Sequence, residues 1–245
     1  MKVCAIIPTY NNATTLPTVI NAVLVVLPDV IVVNDGSTDQ TAKLLSSFDG
    51  RITIVSYAKN RGKGYALRRG FAEALRRGFD TAVTLDSDGQ HLASDISQLL
   101  DCYVASEPCL VVGSRKFDNP NMPSKNSFAN RFSNFWFTVQ TAHRLPDTQT
   151  GFRVYPLTKI GRHNPLNNRY EAELELLVRF AWRDVIIKSC QINVYYPPKN
   201  ERLSHFRPTA DFVRISLLNT VLTLLAIVYG YPSMGIRKLI KLLKK

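Results

Sequence analysis

Residues 81–91, T-A-V-T-L-D-S-D-G-Q-H, hold the densest chemistry in the chain. Val83 and Leu85 are apolar and Thr81 and Thr84 favour extended backbone, so a buried strand is expected. That strand stops in Asp86, Asp88, Gln90 and His91, with Gly89 among them. In open α/β sheets, ligands bind beyond the carboxyl ends of strands. Two carboxylates so close repel each other, and a hard cation such as Mg²⁺ or Mn²⁺ keeps both ionised through oxygen ligands. Such a cation retains waters and also takes substrate phosphate oxygens. The expected chemistry is a divalent metal gripping a diphosphate. The competing reading is a surface turn, for which Asp, Ser and Gly are ordinary residues.

To position these groups the chain must build a sheet. Short apolar runs at 3–7, 30–33, 52–55, 81–85 and 110–112 read as strands. Between them lie helical patterns: one carrying Leu16, Ile20, Val23 and Leu27, one carrying Leu44 and Leu45, and two over 64–77 and 95–104. Asn12 is placed to cap the first helix, and Ser37 or Thr38 the second. Strands alternating with helices predict right-handed βαβ units and a parallel sheet. After Arg115 the pattern changes. A Pro- and Asn-rich loop at 119–124 precedes an aromatic helical face of Phe128, Phe132, Phe135, Trp136 and Val139. D-T-Q-T-G-F-R follows at 147–153, then a helix over 170–182, a strand over 185–195 and a basic loop over 197–207.

The apolar run 212–229 is interrupted by Arg214, Ser216, Asn219, Thr220 and Thr223, so a buried or interfacial helix is expected rather than a membrane span. At the C-terminus Ile236, Leu239, Ile240 and Leu243 share one helical face, with Arg237, Lys238, Lys241, Lys244 and Lys245 elsewhere around it. That is the pattern of a basic helix lying on an anionic membrane, although a solvated terminal helix shows it too.

A formal net charge of +12 implies an anionic partner. RNA-binding signatures are absent, so nucleic acid is not the partner expected. No G-x-G-x-x-G follows the first strand, Gly62–Lys63–Gly64 lacks Walker spacing, and Gly113–Ser114–Arg115 is no nucleophile elbow. No secretory signal is expected at the start, and the four cysteines lack metal or disulfide spacing, so a reduced, cytosolic setting is expected.

Five motifs then fall in order: P-T-Y-N-N at 8–12, V-N-D-G-S-T-D at 33–39, N-R-G-K-G-Y-A at 60–66, L-D-S-D-G-Q-H at 85–91, and D-T-Q-T-G-F-R. Together they resemble the family 2 glycosyltransferases of GT-A fold, and within them the dolichol-phosphate mannose synthase and polyprenyl-phosphate glycosyltransferase branch. The resemblance implies an α/β fold with a mostly parallel, Rossmann-like sheet flanked by helices and followed by C-terminal amphipathic helices. It divides the chain into a glycosyltransferase domain over 1–208, with a nucleotide-sugar half to 115 and an acceptor half beyond, and membrane-interface helices over 209–245. It implies an inverting enzyme using a GDP- or UDP-sugar. Pro8, Tyr10 and Asn11 would wall the nucleoside, Asp35 would contact the base, Lys63 would lie near it, and Arg207 would reach the donor. Asp86, Asp88 and Gln90 would hold Mg²⁺ or Mn²⁺ against the diphosphate. The chain departs from the family at Asn12 and Asn34, where carboxylates are common; both changes bear on which nucleotide is bound.

The departing nucleoside diphosphate develops negative charge, which a metal at Asp88 and Gln90 neutralises where it grows. The acceptor is open. A lipid phosphate is already anionic and needs cationic placement, for which Arg115, Arg131 and Arg207 are the candidates and Ser133 is implied by the resemblance. A sugar hydroxyl on a glycan or glycolipid needs a base, for which Asp147 is the first choice, with a loop-capping role equally open to it. The expected setting is peripheral, on the cytoplasmic membrane face. The rival outside enzymology is a nucleotide-sugar-binding membrane scaffold.

Overall fold

A computed structural model of the protein describes residues 1–104, 107–115, 124–160, 167–196 and 208–243. Among these, seven strands form one sheet: β1 (Val3–Thr9), β2 (Val30–Asn34), β3 (Thr53–Ser56), β4 (Thr81–Thr84), β5 (Leu110–Arg115), β6 (Arg153–Pro156) and β7 (Ile187–Ile192). Their order is β3-β2-β1-β4-β6-β5-β7. β6 runs antiparallel to β4 and β5, while every other pairing is parallel. The mostly parallel sheet expected is found, with β6 its antiparallel strand among the described residues. Four residues, R-V-Y-P, carry no readable period, and their burial comes from the strands on either side.

Both sheet faces are covered, as expected of a mainly parallel sheet. From β1, Cys4 and Ile6 enter one core with residues of α3 (Lys63–Arg76), α5 (Ser124–Thr141), α6 (Leu157–Ile160) and α7 (Glu171–Trp182). Ala5 and Ile7 alternate into the other, with α1 (Leu16–Val26), α2 (Thr41–Ser46) and α4 (Asp95–Cys102). Burying each large aliphatic side chain here contributes roughly 1.5–3 kcal/mol.

The expected caps are absent. α1 begins after Thr15 and α2 after Gln40, neither with a side-chain cap. Asn12 instead donates from Nδ2 to the Ser87 carbonyl at 2.6 Å, and Ser37 accepts the Asn11 N–H at 3.0 Å. These polar residues tie one strand-end loop to the next.

The two C-terminal helices expected are one helical run. α8 (Pro208–Leu225) passes through a π turn, Ala226–Gly230, into α9 (Tyr231–Leu243). Leu218, Leu222 and Ala226 pack into the core, while Leu217, Val221, Leu224, Ile227 and Val228 are exposed. Val213–Leu243 runs for 31 residues and holds a stretch of mean hydropathy 1.7, so by length and composition it could cross a membrane. The expected loop at 119–124, save Ser124, which opens α5, and the basic loop at 197–207 with Arg207 lie outside the described residues.

Candidate active site at the carboxyl edge of the sheet

Parallel β1, β2 and β4 deliver Tyr10, Asp35 and Asp86 just past their carboxyl ends, all at one edge. Because β6 is antiparallel, the loop that precedes it meets that edge. Arg153 pairs with Thr84 on one side and Val112 on the other, so the 147–152 loop lies between the ends of β4 and β5. The N-terminus of α3 completes the edge.

Lys63 opens α3 and bridges two carboxylates, Asp86 at 2.6 Å and Glu173 at 2.8 Å. Burial works against its ammonium, but Asp86 and Glu173 outweigh it and hold the pKa above its ordinary value. Burial likewise opposes ionisation of Asp86, yet the Lys63 charge, then His91, pull its carboxyl below the usual range. Gly151 makes room for this pair. A Cβ there would fall 2.6 Å from Lys63 Nζ and 2.9 Å from Asp86 Oδ2.

Asp88 is the unrelieved acid. Burial, then repulsion from Asp86, pushes its carboxyl up to about 6, although Oδ1 accepts the Gln90 N–H at 3.0 Å. A cation would remove that repulsion. Among the described residues no three His, Cys, Asp or Glu side chains form a closed metal cage. The donor set here is two carboxylates and an amide, which suits Mg²⁺ or Mn²⁺ shared with substrate phosphates. The residue types therefore fit a divalent ion, which Asp88, Asp86 and Gln90 would hold. His91 supports the turn: its Nδ1 accepts the Asp86 N–H at 3.3 Å. Burial pushes its pKa down to about 4, so the neutral ring carries its proton on Nε2.

Asp35 is buried, and its carboxylate accepts N–H bonds from Arg61 at 2.7 Å and Gly62 at 2.8 Å, and one from Asn60 Nδ2 at 3.0 Å. It thus places negative charge at the N-terminus of α3 from a neighbouring strand. Asn11, at φ +47°, spans to the Thr38 N–H at 2.7 Å. Pro8 is buried and Tyr10 half-buried beside it.

On the other side of the edge, Arg115 grips Asp147 with two bonds, Nε to Oδ2 at 2.6 Å and Nη2 to Oδ1 at 3.0 Å. Asp147 is fully buried and also accepts the Gln149 N–H at 3.0 Å, the turn-capping geometry. Ser133 is buried and accepts from Thr148 Oγ1 at 2.7 Å. Asn130 and Asn134 of α5 both donate to the Pro146 carbonyl, at 3.0 and 2.8 Å. Arg131 is exposed one step around the helix from that stripe. Arg207 lies outside the described residues.

Sequence reasoning missed three contributors. Glu173 shows in the sequence only as a negative charge in the first turn of a helix. Gly151 and Arg153 sat in a quoted motif without roles. Arg153 is fully buried and donates to the carbonyls of Thr150, Glu173 and Thr148 at 2.8–2.9 Å, tying the 147–152 loop to α7. An arginine inside an apolar run was the available signal.

A mixed sheet with an acidic turn at the end of β4 and an antiparallel strand beside it is the architecture of a GT-A glycosyltransferase. The structure of glucosyl-3-phosphoglycerate synthase from Mycobacterium tuberculosis, solved with Mn²⁺, uridine diphosphate and phosphoglyceric acid, superposes with a TM-score of 0.67. It is 19% identical and the match covers 92% of this chain and 78% of that one. The family model for glycosyl transferase family 2 matches residues 4–160, and the chain belongs to that family. A UDP-N-acetylglucosamine–dolichyl-phosphate N-acetylglucosaminyltransferase from Methanococcus voltae is 29% identical over 195 residues, 71% of this chain and 77% of that protein. An undecaprenyl-phosphate mannosyltransferase from Micrococcus luteus is 30% identical over 163 residues, 63% of this chain and 66% of that protein.

Proposed function

We propose that this glycosyltransferase moves a sugar, with inversion, from a uridine diphosphate sugar to a polyprenyl-type lipid phosphate at the cytoplasmic face of a membrane. The observation that carries this reading is the Arg115–Asp147 pair. A hydroxyl acceptor needs a base, and the candidate carboxylate is fully buried with both oxygens engaged. An anionic phosphate acceptor needs no base. The relatives' names, each joining a sugar to a polyprenyl phosphate, support the same acceptor, and the Methanococcus relative supports the uridine donor. The exposed apolar helix 213–243 supports membrane contact.

In this mechanism Asp35 fixes the 60–62 loop against the nucleoside, with Tyr10 and Asn11 beside it. Lys63 orients Asp86, and Asp88 presents its carboxylate to the donor diphosphate. A divalent ion held there would neutralise the leaving diphosphate. Arg115, locked by Asp147, gives the edge a fixed cation, with Arg131 and Arg207 assigned to the acceptor phosphate. Residues 1–208 would form the transferase domain and 209–245 the membrane contact.

The test is incubation of purified protein and Mn²⁺ with labelled nucleotide sugars, offering undecaprenyl phosphate, dolichyl phosphate and a glycolipid hydroxyl. An acid-labile lipid-phosphate sugar of inverted anomeric configuration is the expected product. Label found only on the glycolipid would overturn the acceptor assignment.

A further inference from the structure

Away from the sheet edge, the far end of α7 meets the π turn around a pocket of about 220 Å³ lined by Arg179, Trp182, Arg183, Leu225 and Tyr229. We infer that this pocket binds the phosphate headgroup of an anionic phospholipid, as a site separate from the acceptor site.

Three observations converge on it. First, its charged lining consists of two guanidinium groups. Arg179 is paired with Glu175 at 2.7 Å, and the nearby Asp184 is taken by Lys241. Arg183 Nη1 is screened from water and has no hydrogen-bond partner among the described residues. A buried, unpaired cationic N–H is costly, and a phosphate oxygen is the acceptor that relieves it best. Second, the walls are built. Trp182 donates from Nε1 to the Gln140 carbonyl at 2.7 Å, and its ring meets Tyr229 edge-on at 5.9 Å. Gly230 lets the helix pass this close, since a Cβ there would lie 2.5 Å from the indole nitrogen. The π turn itself, a form enriched at functional sites, carries Tyr229 to the pocket. Third, Leu224, Ile227 and Val228 are exposed on the same helical segment. Acyl chains can lie along them while the headgroup enters between the arginines.

The inference rests on the reading that this face meets lipid, so the probe is chosen to need no membrane. The chain has two tryptophans, so Trp136→Phe leaves Trp182 as the one tryptophan whose emission is followed. Short-chain phosphatidylglycerol, below its micelle concentration, should shift Trp182 emission saturably. Arg183→Leu should weaken binding about tenfold or more, the loss of one charge-assisted contact. Arg183→Lys should recover part of it. Leu225→Glu, at a half-exposed position that tolerates a charge, should abolish the response. Transfer to a water-soluble acceptor should persist in all three. The site is refuted by no saturable shift, by an equal response to short-chain phosphatidylcholine, by inorganic phosphate binding as tightly, or by a response that survives Leu225→Glu. Loss of transfer with lipid binding intact would instead count against the proposed reaction.

Discussion

Two ionic centres share one sheet edge and are built on different plans. At Lys63 a single ammonium faces Asp86 and Glu173, with Asp88 nearby, so carboxylates outnumber cations. At Arg115 one guanidinium meets one carboxylate in a two-point fork, and the charges balance. An ammonium is a compact charge that two partners can share, whereas a guanidinium fork fixes one partner in one plane. The acidic excess makes the first centre a place for an added cation. The balanced fork makes the second a fixed element of geometry. In the proposed reaction the donor side would wait for charge to be supplied, and the acceptor side would have its charge in place.

The largest effect expected from breaking this contrast is on stability. Lys63→Met strands two carboxylates at positions where the lysine side chain is only 14% exposed. Removing one partner of a buried ionic group costs roughly 3–5 kcal/mol. Urea unfolding should show that loss, and Glu173→Gln added to it should restore part of it. An unchanged midpoint in Lys63→Met would mean the bridge is only a surface contact.

Next comes chemistry. Asp88→Ala should leave the fold intact by circular dichroism and lower kcat by about 10²–10³, the cost of losing one preorganised stabiliser of transition-state charge. Weaker Mn²⁺ binding should accompany it. Near-normal turnover would place the ion elsewhere.

Asp147→Asn keeps the shape of the fork and removes its charge. If Asp147 only positions Arg115, kcat should fall by about tenfold or less. Loss of a general base would cost about 10²–10⁴. Measuring kcat well below the melting temperature separates the two, and a drop at the upper end would favour a hydroxyl acceptor.

How far each centre could be read from the chain follows from the same contrast. Asp35 and Asp86 each end a parallel strand, so an apolar run followed by a carboxylate was enough to place them at one edge. Arg115 and Asp147 were visible as residue types, but their pairing was not. It depends on β6, whose four residues announce nothing, and whose reversed direction brings the loop before it to the edge. Glu173 was hidden for a related reason. Glu171, Glu173 and Glu175 look like a solvated acidic first turn, yet all three are buried, because α7 packs its start against α3 at Gly64 and Ala172. The would-be caps Asn12 and Ser37 misled because their side chains serve contacts between loops distant in sequence. Strand ends are local facts, and ionic partners are tertiary ones.

The smallest effect concerns pH and tests the donor centre without any substitution. The Asp88 carboxyl rises from its ordinary 3.8 to about 6 on folding. The folded state therefore holds this proton more tightly than the unfolded chain does. Its favourable contribution is complete below 3.8 and is lost as pH rises through about 6. Above that window an ionised Asp88 faces Asp86 unrelieved, and a bound cation should restore stability. Saturating Mn²⁺ should then raise the melting temperature by a few degrees, about 2–4 °C, near pH 7.5 and by much less near pH 5. Asp88→Asn, which removes the repelling charge, should erase the difference between the two pH values and melt higher than the parent in metal-free buffer at pH 7.5. A Mn²⁺ shift that is the same at both pH values, or that survives Asp88→Asn, would show that the ion binds away from this acid and that the two centres do not differ in the way their charges imply.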